Sequence, residues 1–227
     1  MHLTVRDAAK LLQTREQQVY RWIDDGELSC EWIGEQPRFN RAELLEWATA
    51  RRMPVAVEEF QDEDEDGAPL SLVEALTAGG VHAHVPGDDR ESVLRAVEGV
   101  MRLPEELDQE TLIQVLLARE AGGSTAVGNG IAIPHVRQPI AVSGGRASVA
   151  LCYLENPVEF GALDGKPVHT LFSIVSPTIR GHLQLLARLA TALHDAAFKE
   201  AVLRRAGNDE ILKEAARVEA RVPQAKP

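Results

Sequence analysis

The first 56 residues alternate short helical stripes of apolar side chains with polar turns. Ala8, Ala9, Leu11 and Leu12 follow Thr4 and Asp7, residue types that cap helix starts. Val19, Trp22 and Ile23 stand at the i, i+3, i+4 spacing of a buried face, which predicts a helix over about 15–25, ended by Gly26. Residues 28–33 and 37–39 read as short extended pieces joined by Gly34-Glu35-Gln36, and Leu44, Leu45 and Trp47 mark a helix over about 40–51. The pattern then lapses: residues 58–67 hold seven acids and one apolar side chain, which predicts a solvated linker over 57–68. It resumes with a short helix over 70–76 and a strand over 81–85. Asp88 or Asp89 can cap a helix burying Val93, Leu94, Val97, Val100 and Met101, closed by Pro104. Asp108 can cap the next, which buries Leu112, Ile113, Leu116 and Leu117 and ends at Gly122-Gly123. Runs 148–154 and 169–175 read as strands, and the Asp164-Gly165 turn suggests that they pair antiparallel. Helices follow over about 181–194, 198–203 and beyond 208. The whole predicts a small domain over 1–56 and an α/β domain over 69–220, with helices packed on a mixed sheet.

Charge sharpens this division. The net charge of −11 is uneven: residues 1–57 hold eight basic and nine acidic side chains, residues 58–66 seven acids and no base, and the remainder sixteen bases and nineteen acids. Acidity is therefore mostly a property of the linker. An alternative reading makes the run an acidic mimic of nucleic acid that competes for the first domain. Cys30 and Cys152, the two cysteines, fall in different domains, which implies neither a disulfide framework nor a cysteine metal site. The chain lacks a leading charged-then-apolar stretch, and no apolar run nears the roughly 18 residues that span a bilayer, so the expectation is a cytoplasmic protein without membrane insertion. P-loop, HExxH and Gly-x-Ser-x-Gly patterns are missing, which leaves a nucleotide site, a zincin and an α/β-hydrolase without support. His82 and His84, two apart on a strand, share a face in that reading, but without acidic or cysteine companions they read as solvated; no metal and no cofactor is expected.

Chemistry concentrates in Gly128-Asn129-Gly130-Ile131-Ala132-Ile133-Pro134-His135-Val136-Arg137. Proline fixes its own φ and offers no N–H, so His135 leaves the apolar run at a set angle, and the glycines let the backbone approach a ligand closely. Arg119 lies upstream with Ser124 and Thr125, and His182 opens a downstream helix. One guanidinium, two hydroxyls and two imidazoles can converge on one anion. Arg119 also reads as a helix C-terminal cation, and Asn129 as a turn former.

Arg119-Glu120, Gly123-Ser124-Thr125, the Gly128–His135 segment and the loop 160–168 occur in an order that resembles the IIA domain of the phosphoenolpyruvate-dependent phosphotransferase system, in its fructose, mannitol and nitrogen-regulatory (PtsN-like) branch. The likeness covers about 68–217. It implies an IIA-type mixed sheet flanked by helices, and a phosphocarrier whose His135 accepts a phosphoryl group from a histidine-phosphorylated carrier of the HPr/NPr type. Arg119 is then the phosphoryl clamp, His182 the accompanying histidine, and Ser124, Thr125 and Asn129 the phosphate-binding candidates, with the choice between the two hydroxyls left open. The first domain resembles the excisionase-like (MerR-type) winged helix-turn-helix family. Arg15, Gln17, Gln18, Tyr20 and Arg21 are its candidate DNA-reading side chains, with Arg38 and Arg41 near the wing. Its net charge of about −1 weakens phosphate attraction, which keeps a protein-docking module as the alternative. Three functions follow: a regulator that signals nitrogen or carbon status through phosphorylation-dependent binding to a target protein, a transport component that relays phosphate to a separate IIB protein, and a transcription regulator with a IIA-like sensor.

Overall fold

Thr4 and Asp7 cap each other at the start of helix α1 (Val5–Leu11): the Thr4 hydroxyl accepts from the Asp7 N–H at 3.2 Å, and the Asp7 carboxylate accepts from the Thr4 N–H at 2.9 Å. The computed structural model describes residues 2–56, 70–101, 108–136 and 146–221. The expected linker, the Pro104 stop and Arg137 lie outside them. Helix α2 (Glu16–Asp24) follows α1, and the strands β2 (Glu31–Ile33) and β3 (Gln36–Asn40) form a wing about Gly34, whose φ of +65° suits glycine. The short strand β1 (His2–Leu3), absent from the sequence pattern, pairs with the other edge of β3. Asn40 caps α3 (Arg41–Ala50) by accepting from the Ala42 N–H at 2.9 Å. Trp47 of α3 meets Trp22 of α2 edge-on at 4.9 Å, and its indole N–H donates to the Glu27 carbonyl at 2.7 Å, which fixes the third helix against the second.

The second domain is a five-stranded mixed sheet between helices. Its strands β4 (Val81–Val85), β5 (Ala126–Gly128), β6 (Ile131–Ala132), β7 (Ser148–Val158) and β8 (Val168–Val175) lie in the order β4-β7-β8-β6-β5. The expected antiparallel pairing of β7 with β8 is present, while β4–β7 and β6–β8 are parallel. The interior strand β7 is apolar on both sides, as a strand covered on both faces must be. Val149, Leu151 and Tyr153 join one buried cluster with α7 (Ile179–His194), whereas Ala150, Cys152 and Leu154 join another with Val93 and Val97 of α5 (Arg90–Val100). Helices α4 (Leu72–Gly79), α6 (Gln109–Ala121), α8 (Ala196–Leu203) and α9 (Asn208–Glu219) complete the layers. No helix among the described residues is long and apolar enough to cross a membrane.

Two details correct the sequence reading. A register shift between His82 and Val85, with φ of +56° at His84, breaks the alternation that would place both histidines on one face. Helix α7 starts two residues early, because the Thr178 hydroxyl accepts from the Gly181 N–H at 3.0 Å, so His182 lies within the first turn. A Cβ at Gly181 would come within 2.7 Å of the Ser176 hydroxyl, which restricts that turn to glycine.

Glu98 of α5 is 1% exposed and neither carboxylate oxygen has a partner among the described residues. Burial pushes its acid up to about 7. The unfolded chain gives up this proton near 4.5 whereas the folded chain keeps it until about pH 7, so stability falls as pH rises through that window, by about 3 kcal/mol in full. Glu98→Met is expected to add little to the urea midpoint at pH 4.5 and most at pH 8. An equal gain at both would show that burial does not raise the Glu98 acid above its unfolded value. Burial, and then the nearby Glu98, also holds the Cys152 thiol up at about 12, which leaves it unreactive.

Candidate functional site

The β5–β6 hairpin carries the histidine segment. Its turn Gly128-Asn129-Gly130 has φ values of +79°, +56° and +72°, and the Asn129 N–H donates to the Asp164 carboxylate at 2.8 Å, which stitches the turn to the neighbouring loop. Beyond β6, the Ile133 N–H donates to the Thr125 carbonyl at 3.0 Å and the Ile174 N–H of β8 to the Pro134 carbonyl at 3.4 Å; His135 then bridges to Ile174. Backbone contacts thus fix the chain on both sides of the proline. The imidazole folds back so that its Nδ1 sits 2.6 Å from the Ile133 carbonyl oxygen, an acceptor, so Nδ1 carries the proton and Nε2 is the nitrogen turned toward the site.

Three further side chains converge there. The ring of His182 lies 4.9 Å from that of His135, tilted by 33°. Burial, then the neighbouring His135 and Arg119, push His182 down to about 3 against the pull of Glu46, so its ring is neutral near pH 7. Arg119, at the last turn of α6, donates through Nη1 to the Gly123 carbonyl at 2.8 Å and through Nη2 to the Glu46 carboxylate at 2.6 Å; its buried Nε–H has no acceptor among the described residues. The other oxygen of Glu46 stands 3.2 Å from Nε2 of His135. A carboxylate from α3 of the first domain therefore bridges the guanidinium and the imidazole of the second.

The remaining candidates divide. Buried Thr125 faces Glu120, whose carboxylate accepts from its N–H at 3.1 Å and its hydroxyl at 2.5 Å, while the Ser124 hydroxyl accepts from the Ala126 N–H at 3.1 Å. Both thus shape the loop between Arg119 and β5. Asn129 lies at a separate cavity, which it lines with Arg52, Met53, His194 and Lys199. In the first domain Arg15, Gln17, Tyr20 and Arg21 are exposed and Gln18 is half-buried. Arg38 donates to the Gln36 side chain at 2.6 Å and the Pro37 carbonyl at 3.1 Å. Trp32 and Ile33 project from the wing, 60% and 56% exposed.

Glu46 is the site residue that the sequence concealed. It flanks the Leu44, Leu45 and Ala48 face of α3 and looks like an ordinary helix-surface acid. Nothing in a single sequence ties it to a histidine 89 residues away.

Comparison with known proteins places these residues in context. Residues 75–216 match the family described as "Phosphoenolpyruvate-dependent sugar phosphotransferase system, EIIA 2", and residues 3–52 match a helix-turn-helix domain family. The chain is similar to the nitrogen regulatory protein of Pseudomonas aeruginosa, 40% identical over 136 residues that cover 58% of this chain and 85% of that protein. It is also similar to the nitrogen regulatory protein of Escherichia coli K12, 35% identical over 128 residues, 56% of this chain and 77% of that one. Among solved structures, nitrogen regulatory protein IIA-Ntr from Neisseria meningitidis superposes with a TM-score of 0.54 at 25% identity, covering 63% of this chain and 98% of that one.

Proposed function

The chain belongs to the phosphoenolpyruvate-dependent sugar phosphotransferase system EIIA 2 family, and on that premise we propose that it is a regulatory phosphocarrier accepting a phosphoryl group on Nε2 of His135. The observation that carries the reading is the Glu46 carboxylate, an anion that Arg119 holds at 2.6 Å and that stands 3.2 Å from Nε2 of His135. A nucleophile and a guanidinium facing one anion are what phosphoryl transfer requires, since that reaction is mostly positioning and charge stabilisation.

The donor is a phosphohistidine on a carrier protein of the HPr/NPr type. The Nε2 lone pair forms the new N–P bond as the donor's N–P bond breaks, and the electron pair of that bond returns to the donor's ring. The Ile133 carbonyl keeps the Nδ1 proton in place and so fixes the reactive tautomer. Arg119 clamps the phosphoryl oxygens with Nη2 and its free Nε–H, and neutral His182 supplies a ring N–H. Ser124, Thr125 and Asn129 act through the backbone: the first two hold the loop after Arg119, and Asn129 sets the hairpin that delivers His135.

The regulatory reading is favoured over sugar relay by the fused helix-turn-helix domain and by relatives that are nitrogen regulatory proteins. The exposed Arg15, Gln17, Tyr20 and Arg21 suit the N-terminal domain to DNA, and a IIB protein is the partner that the transport reading requires.

Incubation with phosphoenolpyruvate, enzyme I and a phosphocarrier is expected to give an acid-labile, alkali-stable phosphoprotein with the label on the peptide that contains His135. Label on another residue, or none with any carrier, would overturn the proposal.

A further inference from the structure

We propose that the phosphoryl site doubles as the docking seat of the chain's own N-terminal domain: the Glu46 carboxylate takes the place of the transferred phosphoryl group, so docking and phosphorylation exclude each other and phosphorylation of His135 releases the domain. The inference rests on the phosphoryl-acceptor reading above.

Docking covers the nucleophile. The side chains of His135, Glu46 and Arg119 are 4%, 10% and 10% exposed, so a phosphohistidine on another protein has no path to Nε2 while α3 is seated. Docking also engages that nitrogen. A Glu46 carboxylate oxygen occupies the space 3.2 Å from Nε2 that phosphorus must enter, so the lone pair cannot attack. Transfer therefore requires Glu46 to leave first. Once the N–P bond has formed, the phosphoryl group brings about −1.5 to −2 of charge to the position of the carboxylate. Glu46 cannot then return, because it would meet like charge in a site with little solvent, and Arg119 already has an anion.

The rest of the contact combines one more ion pair, a cavity and apolar packing. Arg52 reaches Asp164 at 3.5 Å across the domains and lies against Gly128, where a Cβ would come within 2.5 Å of its guanidinium. Beside this pair the surfaces part around the cavity between Thr49, Arg52 and Met53 on one side and Asn129, His194 and Lys199 on the other. Apolar groups share this seat: Val127, Ile131, Ala190 and Leu193 also line the cavity, and the buried apolar residues of the first domain join those of the second in one cluster, so the Glu46 and Arg52 ion pairs are the part of the contact that a change of charge can switch. Thirteen residues join Ala56 to Leu70, and a chain of that length spans about 45 Å when extended, enough for the domain to clear the site. In the docked state Arg15, Gln17, Tyr20 and Arg21 stay exposed. Release therefore changes the freedom of the recognition helix and leaves its accessibility as it was. The phosphorylation state would be read as one rigid body or two tethered ones.

The test uses the full chain as wild type, Glu46→Lys and Glu46→Gln. Each is measured for its radius of gyration by small-angle X-ray scattering and for its rate of phosphorylation at His135, by phosphocarrier and separately by phosphoramidate, a small chemical donor. Wild type is expected to be compact and to expand on phosphorylation by either donor. Glu46→Lys, which sets a cation against Arg119, is expected to be expanded without phosphate and labelled at least tenfold faster by the carrier. Glu46→Gln, nearly isosteric, is expected between the two. Identical scattering from wild type, phosphorylated wild type and Glu46→Lys, or equal labelling rates, would overturn the inference even if the carrier labels His135 as proposed. If no carrier labels the chain, the phosphocarrier reading fails by itself. Scattering from Glu46→Lys and from chain phosphorylated by phosphoramidate then decides docking alone: expansion supports it and an unchanged curve overturns it.

Discussion

Phosphoryl acceptance is expected to vanish in His135→Ala and to survive in His182→Ala at a rate lowered by about 10²–10³, the usual effect of removing one preorganised donor. The two rings lie 4.9 Å apart and are equally buried, so burial and proximity do not separate them. Their hydrogen bonding does. The Ile133 carbonyl holds the Nδ1 proton of His135 and leaves Nε2 facing the anion that Arg119 clamps. His182 is held neutral by burial and by the neighbouring His135 and Arg119, with its acid pushed down to about 3, so its part is a ring N–H donated to the phosphoryl oxygens. It undergoes no titration between pH 5.5 and 8.5, and His182→Asn, which keeps an N–H, is expected to recover part of the lost rate and to reproduce the shape of the wild-type pH–rate profile. Initial rates of label transfer from phosphoenolpyruvate through the carrier measure all three. Label on His135→Ala, or its complete loss from His182→Ala, would exchange the two roles.

How far this site was legible in the chain depends on what fixes each residue. His135 was readable because its environment is local: a proline before it, a glycine-flanked turn before that, and a short apolar run that must be a buried strand. The position of Arg119 at a helix end and of Ser124-Thr125 in the loop after it was readable for the same reason, since both are set by residues within a few positions; that the two hydroxyls bond inside that loop was not. The outlines of α5, α6 and β7 also followed from caps and periodicity. Sequence reasoning failed where long-range pairing decides. β1 is two residues long and exists because β3 offers it an edge. The bulge at His84 reverses a face assignment that strict alternation would give. Glu120, which the sequence offers only as a neighbour of Arg119, is buried and receives both the amide and the hydroxyl of Thr125. Glu46 reaches its partners only because one whole domain packs on another, and the amphipathic stripe of α3 says nothing about that contact.

The last expectation concerns the ion pair itself, whose structural and chemical roles pull apart under substitution. Removing one member of a buried pair leaves the other charge uncompensated and costs about 3–5 kcal/mol, whereas replacing both by apolar side chains of similar size is often close to neutral. Arg119→Met removes the guanidinium from beside the Glu46 carboxylate, and Glu46→Leu leaves the Arg119 guanidinium beside the Gly123 carbonyl without its carboxylate. Each single variant is expected to lower the urea midpoint, by no more than the free energy of docking, since the chain can relieve the stranded charge by undocking. The double variant Glu46→Leu/Arg119→Met is expected to return to within about 1 kcal/mol of wild type, a strongly non-additive cycle for residues in direct contact. Phosphoryl transfer should follow a different order. Arg119→Met is expected to lose about 10²–10³ in rate with the clamp, Glu46→Leu to be labelled faster than wild type, and the double variant to stay far below Glu46→Leu. Recovered stability without recovered transfer would separate the two functions of Arg119: it balances Glu46 while the domain is docked, and it balances the phosphoryl group once the domain has left. A double variant that regains transfer along with stability would mean that Arg119 serves the fold alone.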